Sequence, residues 1–345
     1  MRIPLVLLSS FIALLLGAGA AAAQEVREGA QDLDPVGVDE IEVADEGQGG
    51  LLDRVGGQLA VAAAMAGDPA KLQAVARLAE GASLPPPLAA VLARRGIATA
   101  DAARAFLSSG IADLHDPLIM DGMREATGRL RLARERGEKV FLFGDYDVDG
   151  ITSTAAMGKV LEALGMRYAF CHPDRNAEGY GFNARGVRQA SAAGASLIVT
   201  LDCGTEAIEP VAEARRAGID VVVIDHHIPE AGLPPATAVV NPKKEECPYP
   251  FEELAAAGVV LKFARALVEE LRATLPWDEI LQLAALGTVA DVAPLRGENR
   301  IIAALGLAAM NRSAIPGIEA LLRAAALGPP ALLARHLAFQ VGPRL

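Results

Sequence analysis

From Glu138 onward the chain repeats one rhythm: a short apolar run, a turn, then a longer stretch with its apolar residues on one face. The apolar runs fall at 139–144 (KVFLFG), 167–172, 197–201 (LIVTL), 220–224 (DVVVI) and 238–241. They are rich in β-branched and aromatic residues and nearly continuous, as strands buried on both sheet faces must be. Amphipathic segments at 152–164, 184–193 and 207–217 separate them as helices. Strand–helix alternation of this kind predicts an α/β domain with a doubly wound parallel sheet. Beyond Glu252 the pattern turns helical, over 253–273, 278–289, 299–310 and 317–326, giving a C-terminal helical segment.

Upstream, Pro85-Pro86-Pro87 marks a boundary. After it, 88–95 reads as a helix, and Thr99 N-caps a second helix running to about Ser108. This pair is read as a packing module rather than a DNA-contacting one. Residues 51–80 are Ala-rich and helical in pattern. Residues 24–52 are acidic and Gly-rich with few large apolar side chains, the composition of a disordered spacer. At the start, Met1-Arg2, an apolar run over 3–16 and Ala21-Ala22-Ala23 have the layout of a secretory signal. Its Ala/Gly-rich end argues against a stable membrane span. The expected organisation is therefore 1–23 signal-like, 24–83 spacer and Ala-rich helix, 84–135 helical unit, 136–292 α/β domain and 293–345 helical connector.

Composition narrows the classes. Hydrophobic residues make up 52% and aromatics 4%, which suits helices on a sheet better than a β-sandwich. A net charge of −11 argues against a basic DNA-wrapping protein. It leaves room for a nucleic-acid enzyme, because clustered metal-binding carboxylates are acidic and bound cations reverse the local field. Three widely spaced cysteines, Cys171, Cys203 and Cys247, suggest neither a disulfide framework nor a zinc motif.

Three strands end alike: the first runs into Asp145, the third into Asp202, the fourth into Asp225-His226-His227. Ligands of open parallel sheets bind at the carboxyl ends of the strands, so these acids converge on one edge. Crowded carboxylates repel one another unless a cation neutralises them. Asp145, Asp147 and Asp149 alternate within GDYDVDG (144–150), as in a calcium loop, but the twelfth position from Asp145 is Ala156, so no acid closes it. A strand-to-helix turn fits better, with Gly150 closing it and Asp145 and Asp147 facing two metals. Asp149, at the helix start, is expected to cap amides or support the catalytic centre rather than ligate directly. Of the His pair, one ring is expected on metal and the other toward substrate. Asp291, ending an apolar stretch, is a candidate last ligand. Imidazole with carboxylates suits manganese, or magnesium with less preference for His. Two such ions serve in-line phosphodiester hydrolysis.

GDYDVDG (144–150), LDCG (201–204), DHH (225–227) and GTVADV (287–292) resemble, in order, the four motifs of the DHH phosphoesterase superfamily. The stretches IADLHDPLIM (111–120), EGYGFN (178–183), VVNPKKEECPYPFEELAAAGV (239–259) and GENRI (297–301) resemble its RecJ family of single-strand-specific exonucleases. The resemblance covers about 84–345. It implies Asp145 and Asp147 on separate metals, Asp202 bridging, and His226 and Asp291 completing the coordination of the second metal. It further implies His227 at the scissile phosphate and Arg175 near substrate. The implied activity is 5′→3′ hydrolysis of single-stranded DNA to mononucleotides in repair and recombination. Single-strand-binding protein and a helicase are the implied partners, in the cytoplasm, which conflicts with the signal-like 1–23. The chain stops at Gly342-Pro343-Arg344-Leu345, where the family continues into a DHH-associated domain and an OB-fold, so a truncated form is expected. The alternatives are a DHH phosphodiesterase of short oligonucleotides or cyclic dinucleotides, and a non-catalytic DHH scaffold.

Overall fold

The structure, a computed structural model, describes residues 69–108, 110–329 and 331–345. The signal-like segment, the acidic spacer and the first part of the Ala-rich stretch lie outside the described residues. The described residues divide into two compact units, with the break between Ser108 and Gly110.

In the first unit, α1 (Pro69–Ala82), α2 (Pro86–Arg94) and α3 (Ala100–Ser108) enclose a small core of Val75, Leu78, Ala89, Ala90, Leu92 and Ala103. Proline opens α2, where a missing N–H costs nothing. The Thr99 hydroxyl accepts the Ala102 N–H, 3.2 Å away, and caps α3.

The second unit begins before the sheet, with α4 (Met123–Glu135). Residues 110–135 therefore belong here, whereas the sequence groups them with the upstream helices. The reason is burial: Met123, Ala126, Leu130 and Ala133 of α4 pack into the main core.

Five parallel strands follow: β1 (Val140–Gly144), β2 (Tyr168–Cys171), β3 (Leu197–Leu201), β4 (Asp220–Ile224) and β5 (Ala238–Val240), in the order β2-β1-β3-β4-β5. Helices α5 (Val148–Ala163), α6 (Ala184–Ala192) and α7 (Ile208–Arg216) join the first four. Side chains alternate across the sheet as the pleat requires. Val140 and Leu142 enter the core with α4 and α5, while Phe141 and Phe143 enter a second core with α6 and α7. Both faces are covered, so the sheet is doubly wound. In such a sheet the crevice opens where the strand order reverses, here between β1 and β3.

The C-terminal helices are α8 (Ala256–Leu271), α9 (Trp277–Ala290), α10 (Gly297–Arg312) and α11 (Pro316–Ala324). Small residues let them pack closely. A Cβ on Gly306 of α10 would lie 2.3 Å from the Ala285 Cβ and 2.4 Å from the Leu281 carbonyl oxygen of α9. Further helical turns run from Ala334 to Arg344, where Leu337 and Val341 are buried in the main core.

Candidate metal centre

Register builds the site. Gly144 lies level with Leu201, Leu201 with Ile224, and Ile224 with Val240. The ladder continues one residue further: the N–H groups of Asp145, Asp202 and Asp225 donate to the carbonyls of Leu201, Ile224 and Val240. The three acids therefore stand side by side at the carboxyl edge, all buried.

Two backbone features aim the carboxylates. Asp147 is the N-cap of α5, accepting the Gly150 N–H at 3.0 Å, so the helix begins at Val148 and carries Asp149 in its first turn. Gly150 is required by close approach, because a Cβ there would lie 2.4 Å from the Asp145 carbonyl oxygen. Asp202 adopts a left-handed backbone (φ 63°), an uncommon state for a non-glycine residue and one that collects at functional sites.

Three sets of potential ligand atoms result, each mutually within 4.8 Å: Asp145, Asp147 and Asp202; Asp149, His226 and Asp291; and Asp202, His226 and His227. Asp202 and His226 each belong to two sets. The His226 Nε2 lies 3.2 Å from the Asp202 Oδ1 and 3.8 Å from the Asp149 Oδ2. Both the Nε2 and the Asp202 Oδ1 are buried without a hydrogen-bond partner. Orphaned atoms of this kind carry a desolvation cost unless something else engages them. Carboxylates and imidazole converging on these orphans fit divalent manganese or magnesium.

Electrostatics agree. Burial pushes the Asp149 carboxyl up to about 8, with Asp291 adding repulsion against the Ala257 and Ala256 amides. Burial and Asp147 push Asp291 up to about 6, and burial followed by Asp149 and Asp147 raises Asp202. His226 is lowered to about 4 by burial and by its neighbour His227, so its ring is neutral at physiological pH, as a ligand must be.

Asp225 and Asp149 are both engaged by backbone amides. Asp225 stands outside all three ligand sets among the described residues. Its Oδ2 accepts the Thr205 N–H at 2.9 Å and its Oδ1 the His226 N–H at 2.7 Å, and Oδ1 lies 2.7 Å from the His227 Nδ1. Burial opposes its charge, but the His227 hydrogen bond and charge and the Thr205 contacts hold it at about 2. Asp225 is thus an orienting group for His227. Asp149 caps a helix other than its own: its oxygens accept the Ala256 and Ala257 N–H groups at the start of α8, at 2.7 and 3.0 Å. It also stands among the ligand atoms beside His226 and Asp291.

His227 faces outward, 43% exposed at its side chain, and its Nδ1 lies 2.9 Å from the Tyr180 hydroxyl. Tyr180 also donates to the Asp202 carbonyl at 3.2 Å, and the Gly181 N–H donates to Asp145 Oδ1 at 3.3 Å. The 178–183 stretch therefore walls the centre. Arg175 stands outside the ligand sets, its guanidinium stacked 4.6 Å from the Tyr146 ring centroid. Tyr180, the orienting role of Asp225 and the buried Asn241 are not singled out by sequence reasoning. Asn241 donates to the Thr205 hydroxyl and the His227 carbonyl at 3.0 and 2.8 Å. Its position directly after β5, level with Asp225, is the signal that would have found it.

Residues 139–288 match the DHH family, N-terminal domain. These residues form a DHH domain. It is similar to that of RecJ proteins. The single-stranded-DNA-specific exonuclease RecJ of Bacillus subtilis is 42% identical over 271 residues, 79% of this chain and 34% of that protein. Its counterpart in Escherichia coli is 37% identical over 276 residues, 76% of this chain and 47% of that protein. Manganese-bound RecJ from Thermus thermophilus superposes with a TM-score of 0.66 at 30% identity, over 79% of this chain and 38% of that one. The chain thus spans about a third to a half of the length of these relatives. Within the matched residues Asp145, Asp202 and Asp225-His226-His227 stand at one sheet edge, and Asp291 reaches the same ligand atoms from the C-cap of α9, just past the matched residues.

Proposed function

We propose that this chain is a metal-dependent phosphodiesterase acting on single-stranded DNA, a 5′→3′ exonuclease releasing mononucleotides in repair and recombination. One observation carries the reading: Asp202 and His226 are shared between ligand sets that together gather Asp145, Asp147, Asp149, His227 and Asp291. A shared carboxylate between two neighbouring cation positions is the arrangement in-line phosphoryl chemistry uses. The named activity of its RecJ relatives, exonuclease on single-stranded DNA, supports the substrate class.

The resemblance puts Asp145 and Asp147 on separate metals, but their common grouping with Asp202 favours a reading in which these three would hold one ion, while His226 and Asp291 would hold the other with Asp202 shared. Divalent ions bound there acidify water to a nucleophile near neutral pH and stabilise charge on phosphoryl oxygens. The protein supplies placement and proton control. Asp149 ties the ligand edge to the N-terminus of α8. Asp225, itself held ionised, fixes the His227 ring and favours its protonated form, although burial opposes this. His227 then meets the scissile phosphate as a hydrogen-bond donor, with Tyr180 bracing it. Arg175, stacked on Tyr146 between two ligands, meets the phosphate backbone of the strand. The site of action is the cytoplasm, beside a single-strand-binding protein and a helicase. Among the described residues no single helix is long and apolar enough to cross a membrane.

The test is 5′-labelled single-stranded DNA incubated with manganese, beside an Asp202→Ala control. Wild-type protein releases labelled mononucleotide and the variant does not. Equal release by both, or release by neither, rejects the reading.

A further inference from the structure

Two adjacent lysines follow β5, and the structure gives them opposite fates. Lys244 is buried, its ammonium paired with Asp121 and donating to the Val239 carbonyl at 2.6 Å. Lys243 has no carboxylate within ion-pair distance among the described residues. Its backbone is nonetheless fixed: its N–H donates to the Asn241 side-chain oxygen at 2.9 Å, and the same amide's nitrogen donates to the His227 carbonyl at 2.8 Å. Asn241 is fully buried and thus lashes the Lys243 turn to the histidine pair.

Register fixes which edge this is. Ile224 and Val240 are partners, so Asn241 stands beside Asp225, and Lys243 lies two residues further out, beyond the same carboxyl edge as the ligand sets. The Lys243 charge reaches His226, His227 and Asp291. It also reaches Glu253, but that carboxylate is engaged by Arg296, with the Arg296 Nε donating at 2.6 Å. A cation is costly beside a pair of metal positions, which it repels, and among the described residues no protein anion pairs with it. Such a placement is explained by an anion that arrives with the substrate.

We propose that Lys243 binds a phosphate of the single strand next to the one being cleaved. The proposal rests on the phosphodiesterase reading above. A contact of this kind is electrostatic and indifferent to base identity. It has a signature that a structural role lacks, because each phosphate neutralised by a lysine releases condensed counterions.

The experiment measures kcat/KM for manganese-dependent hydrolysis of oligothymidylate against salt concentration, in wild-type protein, Lys243→Gln and Lys243→Arg. Manganese affinity is followed by calorimetry as the check on folding. For Lys243→Gln, kcat/KM falls at low salt, mainly through KM, and the log–log salt slope becomes shallower by about 0.7. Lys243→Arg keeps the wild-type slope. Manganese binds Lys243→Gln at least as tightly as wild type, because a repelling charge is gone. Parallel salt lines for wild type and Lys243→Gln, or weakened manganese binding in the variant, would overturn the proposal while leaving the phosphodiesterase reading intact. Absence of turnover by wild-type protein itself rejects that reading, and this contact with it.

Discussion

At the residue scale, the centre is a set of acids held where acids alone are unfavourable. Asp149, pushed up to about 8 by burial and the Asp291 charge, and Asp291, pushed up to about 6 by burial and the Asp147 charge, bind protons in the metal-free fold that the unfolded chain has already released. Stability of the metal-free protein is therefore greatest below their ordinary range and falls as pH rises through the folded values. Manganese held by these carboxylates would remove the penalty, since it would replace those protons. In EDTA, Tm should fall between about pH 5 and pH 8, and the gain in Tm on adding manganese should grow over the same interval. An equal gain at both ends would show that these carboxylates do not hold the ion. Most of these residues were legible from the chain. Asp145, Asp202 and Asp291 each follow an apolar run, Asp147 and His226 come one or two residues after such an acid, and strand ends are where ligands gather. What the pattern could not show is direction. Asp225 ends its strand as Asp202 does, yet turns toward Thr205 and His227, a choice made by backbone geometry beyond the last ladder bond.

At the element scale, helix contact distances decide whether the ligand edge closes. Gly287 of α9 faces Asp149: a Cβ there would lie 2.6 Å from the Asp149 Oδ1, 2.4 Å from the Thr152 hydroxyl and 2.7 Å from the Ala257 Cβ. Gly287→Ala should cost about 1–3 kcal/mol through overpacking. It should also weaken manganese binding, because Asp149 and Asp291 are pushed together with the helix. Gly306→Ala, on the far side of α9, should cost a similar ~1–3 kcal/mol in urea denaturation but leave manganese affinity near wild type. If both variants lost metal equally, proximity to Asp149 would not be the operative difference. The helices themselves were readable from periodicity to within a few residues. The start of α5 was not, because the capping group is Asp147, and an acid between two other acids gives no sign of which one caps.

At the scale of the whole molecule, one buried ion pair joins segments far apart in sequence. Lys262 of α8 is fully buried and pairs with Glu298 of α10 at 2.8 Å, also buried, while the Lys262 ammonium donates to the His115 carbonyl and Tyr249 donates to Glu298 at 2.6 Å. Burial, opposed by Glu298, lowers Lys262 to about 8. Glu298→Ala should cost about 3–5 kcal/mol, since it strands a buried ammonium. Lys262→Met combined with Glu298→Leu should cost less than the single change, and a larger cost would mean that the pair contributes net stability. Nothing in the local pattern announced it: Lys262 sits within an apolar helix, and its partner lies 36 residues on.

The central claim is that Asp202 spans two cation positions at one sheet edge. Its most direct test is electron paramagnetic resonance of the manganese-loaded chain with stoichiometry measured in parallel. Two ions sharing a carboxylate at about 3.5–4 Å are exchange-coupled. The account predicts two manganese ions per chain with a spin-coupled spectrum, reduced to isolated or absent manganese in Asp202→Ala. A single uncoupled ion in wild-type protein, or the same coupled spectrum in the variant, would contradict it.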